Sequence, residues 1–328
     1  MKKRGIGFAS SAQGVNYHFG HEDTSTLELQ VERDGSMLLR SAASDIGQGL
    51  EAVLIQITSM AFNGYPVEKI RWEGSNSQAP DAGGTGASRQ STLTGNACFR
   101  ACENLKALLR SVAAEILESP PDLVEFWGEQ VRANGKELAF TELCEHAREM
   151  GMTLRLKGSF TAPQTTELSV NGKGYPINQF GYATHMVEVE VDTATGEVSV
   201  LRVEAFHDAG TILNPIGAAG QVEGATVMGM GFALSEDYLL SQGKPVNLGF
   251  TNYIIPSLAD APEVNVHFLV KPAKFGELGV KGLAEAPTTT IAPAIANAIF
   301  NATGARVTHL PATPERVLES LGQLEELD

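Results

Sequence analysis

Cysteine is scarce in this chain of 328 residues, which has only Cys98, Cys102 and Cys144. Three thiols at these spacings form neither a disulfide framework nor a zinc or iron–sulfur pattern. Cys98 and Cys102 stand four apart on an expected helix, where two small buried apolar residues are a simpler reading than a redox pair. Basic residues are also few, 24 against 39 acidic, for a net charge of −15. A nucleic-acid binder needs a basic face, so the balance argues against that class. No stretch of 18 consecutive apolar residues occurs, so no transmembrane helix is expected. The basic start, MKKRGIGFASSAQG, lacks the apolar run of a signal peptide. The expectation is a cytoplasmic protein with no membrane and no nucleic-acid partner.

Glycine is abundant, with 34 residues clustered at turns. Such clusters mark tight turns or places where backbone approaches a ligand closely. The chain is long enough for two domains with substantial cores. Strands are expected at GIGFASSA, LELQVER and SMLLRSA, then a helix in DIGQGLEAVLIQITSMAFNG and a strand in VEKIRWEG. A long helix follows from about Thr94 to Glu118, with Leu105, Leu108, Leu109, Val112, Ile116 and Leu117 on its apolar face and Pro120-Pro121 behind it. A short helix, TELCEHAREMG, lies in the passage 135–175, the best candidate for a lobe boundary. MVEVEVD, TATGE and EVSVLRVEAF then form the clearest hairpin. Beyond it a second helix is expected from Gly220, then strands near 252–270 and a helix over Ile291–Ala302. The fold class expected is α+β, with two mixed α/β subdomains at 1–150 and 151–328. A Gly-Gln pair ahead of a helix in each half, Gly47-Gln48 and Gly220-Gln221, hints at a pseudo-repeat.

Three features could carry chemistry. Each Gly-Gln pair offers helix-start N–H groups and an amide that both donates and accepts, although an ordinary helix entry looks the same. The loop DAGGTGASRQST places small residues, hydroxyls and a cation just before a helix, as a phosphate site would and as a plain connector also could. Glu285 stands alone among uncharged residues between Lys281 and Arg306, on a turn ahead of an apolar helix. A surface acid there would favour the helix dipole, whereas one held in a buried place suits a general base. His207 and Asp208 are adjacent on a strand and so face opposite ways, which favours a structural role over a catalytic pair.

In order, DIGQGLEAV, GGTGASRQSTLTGNA, VEVEVDTATGEVSVLR, HDAGTILNP, GQVEGATVMGMGFAL and KGLAEAPTTTIAPAIANAI resemble the molybdopterin-binding portion of the xanthine dehydrogenase/aldehyde oxidase family. The resemblance covers nearly the whole chain and corresponds to the second half of the family's molybdenum-binding region. It implies the aldehyde oxidase/xanthine dehydrogenase molybdopterin-binding fold, with the catalytic turn in the second subdomain. The family's FGG-type and AFRG-type motifs have no match here, and this implies a split enzyme. The chain then looks like the medium molybdopterin subunit of a bacterial hydroxylase of the nicotinate dehydrogenase kind.

The resemblance also implies roles for single residues. Glu285, in GLAEAPT, matches the family's base, which deprotonates a molybdenum-bound hydroxyl that attacks an electron-poor carbon as hydride passes to Mo=S. Ala284 and Ala286 stand where the family has Gly and Pro. Gln48 and Gln221, with Gly47, Gly49 and Gly220 beside them, match glutamine segments that hydrogen-bond the pterin. Thr85, Gly86, Ala87, Ser88, Arg89, Gln90, Ser91 and Thr92 match the segment on the cofactor's phosphate side. The metal needs no protein ligand, because the pterin dithiolene holds it. The implied cofactor is molybdopterin with molybdenum, in the cytosine dinucleotide form. The implied partners are a larger molybdopterin subunit, an iron–sulfur subunit with [2Fe–2S] clusters and a flavin subunit with FAD. The implied substrate is an N-heterocycle such as nicotinate, with a purine or an aldehyde as alternatives. A non-catalytic cofactor-binding or assembly subunit is the other reading of the same residues.

Overall fold

The computed structural model describes residues 1–324, so the last four residues of the span 151–328 lie outside it. The chain opens with β1 (Lys2–Val15), β2 (Thr24–Val31) and β3 (Met37–Arg40), the last two joined across the Asp34-Gly35 turn. Then come α1 (Leu50–Ala61), β4 (Ile70–Glu73) and α2 (Gln90–Ile116). A small meander of β5 (Glu125–Trp127), β6 (Gln130–Ala133) and β7 (Lys136–Ala139) leads into α3 (Phe140–Glu149) and β8 (Arg155–Thr161). The second half has the hairpin β9 (Gln179–Asp192) and β10 (Val198–Asp208), then α4 (Pro215–Leu234). It continues with β11 (Leu240–Ser241), β12 (Lys244–Pro245), β13 (Glu263–Phe268), α5 (Ala286–Thr303) and α6 (Pro314–Ser320). The class is α+β with several sheets. Among the described residues no helix is long and apolar enough to cross a membrane.

Two four-stranded sheets carry the architecture, ordered β4-β3-β2-β8 and β13-β10-β9-β1. They follow one plan. An antiparallel hairpin (β2-β3 or β9-β10) runs into a helix (α1 or α4), and the next strand of the same sheet (β4 or β13) pairs parallel with the second hairpin strand. A long helix, α2 or α5, follows. The fourth strand pairs antiparallel with the first hairpin strand in both sheets, β8 with β2 and β1 with β9. The pseudo-repeat therefore exists as topology.

The sheets do not part at residue 150. β1, from the first half, completes the second sheet, and β8, beyond residue 150, completes the first. Glycine explains why each strand belongs where it does. A β-carbon on Gly7 of β1 would lie 2.2 Å from the Ala294 carbonyl oxygen of α5, and one on Gly158 of β8 would lie 2.1 Å from the Ala97 oxygen of α2. Bare backbone at these points lets each long helix lie directly on its strand. Two apolar cores result. One holds Leu27, Leu39, Leu54, Leu105 and Leu109, and the other Val187, Val203, Ile291 and Ile295. Each such side chain contributes about 1.5–3 kcal/mol on burial. All three cysteines are free and buried, as small apolar fillers.

Several boundaries differ from the sequence reading. α4 begins at Pro215, not at Gly220, because Asn214 caps it through the Gly217 N–H at 2.8 Å and Pro215 suits the first turn. α2 begins at Gln90, four residues before Thr94. Within 252–270 the strand is confined to β13. The β5–β7 meander has little periodic signal in the sequence, because its strands are only three or four residues long.

Candidate functional site

Four helices of the repeat start at one place. Gly49 and Leu50 of α1, Arg89 to Ser91 of α2, Asn214 and Gly217 of α4, and Glu285 of α5 all line a cavity of about 270 Å³. The first turn of a helix leaves its leading N–H groups without intrahelical acceptors, and its dipole favours negative charge there. Converging starts therefore make a place for an anionic ligand. Much of the remaining wall is apolar, from Ile46, Val53, Ile212, Leu213 and Leu283.

The start of α1 is already occupied. Asp45 accepts the N–H groups of Gly47, Gly49 and Glu51 at 3.0–3.1 Å. Burial pushes its carboxyl up, but these N–H groups and that of Leu50 outweigh burial and hold it below the usual carboxylate range. Gly47 and Gly49 take φ of 107° and 78°, left-handed values that let the loop wrap around Asp45. Gln48 folds back on the same loop, accepting from the Ile46 N–H and donating to the Ser44 carbonyl. Gln221 differs. It lies inside α4, lines the cavity, and its side chain makes no hydrogen bond among the described residues. Gly220 and Gly47 do not line the cavity. The two Gly-Gln pairs thus occupy unlike positions within the repeat.

The Gly-rich loop is a fixed structure. Thr85 donates to the Ser44 carbonyl and accepts from the Ser44 N–H, which fastens the loop to the Gln48 segment. Gln90 donates to Thr85 Oγ1 and to the Gly84 carbonyl. Arg89, expected to face a phosphate, has its guanidinium buried and committed elsewhere. It pairs with Asp23 at 2.6 Å, donates to the carbonyls of Thr24, Ala82 and Gly84, and lies over the Tyr17 ring. Thr92 is buried and reaches the Val280 carbonyl. Gly86, Ser88 and Ser91 line the cavity with Thr85 and Gln90, whereas Ala87 and Thr92 do not.

Glu285 is half-buried at the N-cap of α5 and forms no cap hydrogen bond. Its Oε2 accepts from the Ser88 hydroxyl at 2.6 Å. The chain reaches it through Gly282, which crosses the Ser88 peptide so closely that any β-carbon would clash with it. Lys281, also on the cavity wall, pairs with Asp208 at 2.7 Å. His207 turns the other way from Asp208, into the core, with its Nε2 3.1 Å from that of His185. Burial pushes His207 down to about 4; burial and the neighbouring His207 push His185 down to about 3.

Asp45, Asp23, Lys281 and Gly282 join the candidate site only in the structure. For Asp45 a signal existed, an Asp in a turn just ahead of an apolar helix. The others depend on residues far away in the chain. What the arrangement can do is bind a polar, anionic group against N–H donors and present one carboxylate beside it.

Comparison with known proteins gives a consistent result. Residues 1–262 match the model of the family described as the molybdopterin cofactor-binding domain, a match that ends before Glu285. The aldehyde oxidoreductase of Megalodesulfovibrio gigas is 31% identical over 97% of this chain and 32% of its own length. The 6-hydroxypseudooxynicotine dehydrogenase complex subunit gamma of Paenarthrobacter nicotinovorans is 31% identical over 88% of this chain and 36% of its own. Among solved structures, the Desulfovibrio gigas aldehyde oxidoreductase superposes with a TM-score of 0.83 at 28% identity, over 98% of this chain and 33% of that one. The chain thus spans about a third of the length of these relatives.

Proposed function

The chain belongs to the molybdopterin-binding family of the aldehyde oxidoreductases and xanthine dehydrogenases, and on that premise we propose that it is part of a molybdenum hydroxylase in which Glu285 is the general base. The observation that carries this is the placing of Glu285 at one of four helix starts around a single cavity. The donors there suit the cofactor. The starts of α2 and α5 would offer N–H groups to its phosphate, whereas at α4 Asn214 already takes the Gly217 and Ala218 N–H groups, and the Gln221 amide is open to the polar edge of the pterin. When bound, the cofactor supplies the transferred oxygen and accepts two electrons. The apolar side chains keep water away, and Glu285 takes up the proton at its carboxylate. Substitution of a positioned base costs typically about 10²–10⁴ in rate.

The substrate in this reading is an N-heterocycle of the nicotinate kind, whose flat ring suits the Ile212, Leu213 and Leu283 wall. A relative named for a 6-hydroxypseudooxynicotine dehydrogenase complex supports both that choice and a multi-subunit assembly. Ile46, on the cavity wall yet 75% exposed, marks a side that another polypeptide would close. The assembly has a larger molybdopterin subunit and [2Fe–2S] and FAD subunits, uses the cytosine dinucleotide cofactor, and works in the cytoplasm as the counterpart of nicotinate dehydrogenase's medium subunit.

The test is to isolate the chain with the proteins that hold it, measure molybdenum and pterin, and assay nicotinate, xanthine and an aldehyde. Glu285→Gln is expected to keep both metal and pterin while losing turnover. Turnover within about threefold of wild type would remove Glu285 as base, given the loss expected of a general base. A complex with cofactor but no turnover of any substrate would favour the assembly role. Turnover of xanthine or the aldehyde alone would replace the N-heterocycle.

A further inference from the structure

The residue that meets Glu285 is itself held in an unusual conformation. We propose that Ser88 is a positioning residue for Glu285, its hydroxyl holding Oε2 so that Oε1 is presented to the cavity. The proposal rests on the reading of Glu285 as the base.

Three observations converge on it. The 2.6 Å contact from Ser88 Oγ to Oε2 is in the range of a charge-assisted O–H···O⁻ bond, and Oε1 accepts no hydrogen bond among the described residues. Ser88 has φ 48° and follows Ala87 at φ 52°, two successive left-handed residues without a glycine. Such strain persists when the surroundings fix it. They do so here. The Ala87 carbonyl accepts from the Asn16 N–H at 2.9 Å, and Arg89 next in the chain is locked by the buried Asp23 pair. On the other side the Ser88 carbonyl lies against Gly282. Ser88 therefore meets the turn at two points, its carbonyl packed against Gly282 and its hydroxyl bonded to Glu285.

A glutamate side chain has several rotatable bonds, and an unheld carboxylate would sample several rotamers. With Oε2 held, the proton that Glu285 takes up as base goes to Oε1, and Ser88 keeps its own proton.

Carbodiimide labelling of carboxyl groups, read by peptide mass spectrometry on the purified protein, tests this without turnover. The variants are Ser88→Ala, which keeps the β-carbon, and Ser88→Gly, which removes the hydroxyl while relaxing the left-handed backbone. Thr is unsuitable because a β-branched residue tolerates positive φ poorly. Both variants are expected to label faster at Glu285, by about tenfold for the loss of a hydrogen bond to a charged group. Asp34, exposed and held by Ser36, is the internal reference. In the loaded complex both variants should lower kcat by about tenfold with KM little changed, the pattern of a group aimed at the reacting atoms. If Ser88→Ala fails to fold, Ser88→Gly carries the test. Labelling at the wild-type rate in the folded variants would overturn the role of Ser88, whatever the activity. Full activity in Glu285→Gln would instead overturn the base, and with it this role, whatever the labelling.

Discussion

Gly282 passes beneath Ser88 with no room for a side chain. A β-carbon at 282 would lie 1.6 Å from the Ser88 carbonyl oxygen and 2.4 Å from its carbon. Both are backbone atoms, so neither can swing aside. The contact joins the Glu285 turn to the Gly-rich loop, segments almost 200 residues apart.

Gly282→Ala should therefore separate those segments or strain them. The expected cost is about 2–3 kcal/mol, the upper range for overpacking, with activity lost more than stability because the Glu285 turn is what shifts. Urea unfolding and turnover, measured side by side, check it. Wild-type behaviour in both would show that the loop yields.

Gly86→Val is expected to act oppositely. A β-carbon at Gly86 meets no atom within 4 Å, and Gly86 lines the cavity. Stability should stay within about 0.5 kcal/mol, as for a substitution that touches little. Cofactor content, measured as molybdenum per chain, should fall as the side chain enters the cavity. Full occupancy would show that no ligand approaches this backbone.

Arg89→Lys should unfold the first lobe more readily, with or without cofactor. The guanidinium fork serves Asp23 and three carbonyls at once, and an ammonium cannot reproduce that geometry. Leaving a buried carboxylate poorly paired costs about 3–5 kcal/mol. Unchanged denaturation with weaker cofactor binding would instead return Arg89 to the phosphate.

The His185–His207 pair is expected to make the second lobe acid-labile. Both rings are held neutral, with values pushed from 6.5 to about 3 and about 4. Well above pH 6.5 both are neutral in the folded and unfolded chain, and the pair adds no pH dependence. Below 6.5 the unfolded chain takes up protons that the folded one refuses, so stability falls as pH drops towards 4. Replacing both, His185→Phe with His207→Leu, should flatten the slope of unfolding free energy between pH 6.5 and 4. An unchanged slope would assign it to carboxylates.

Much of the secondary structure and the chemical candidates could be read locally. The β9–β10 hairpin follows from strict alternation, α2 from its Leu and Val spacing, and Glu285 from standing alone among uncharged residues. Each is a property of neighbours in the chain, and periodicity or charge reports it. The positions of Gly47-Gln48 and Gly220-Gln221 looked equivalent because a dipeptide cannot show that Asn214 starts α4 seven residues before Gln221.

The sequence by itself determined the long, strongly patterned elements, the α+β class and the lone acid Glu285, because these rest on residues a few positions apart. Tertiary structure alone decided which strand completes which sheet, since β1 and β8 each pair where a glycine admits a helix from a remote segment. It also decided the occupations of the site: Arg89 is spent on Asp23, Gln48 on its own loop, and Ser88 on Glu285. Hydrogen-bond donors and acceptors have the same composition whether satisfied or open, and distance in space, not order in the chain, tells them apart.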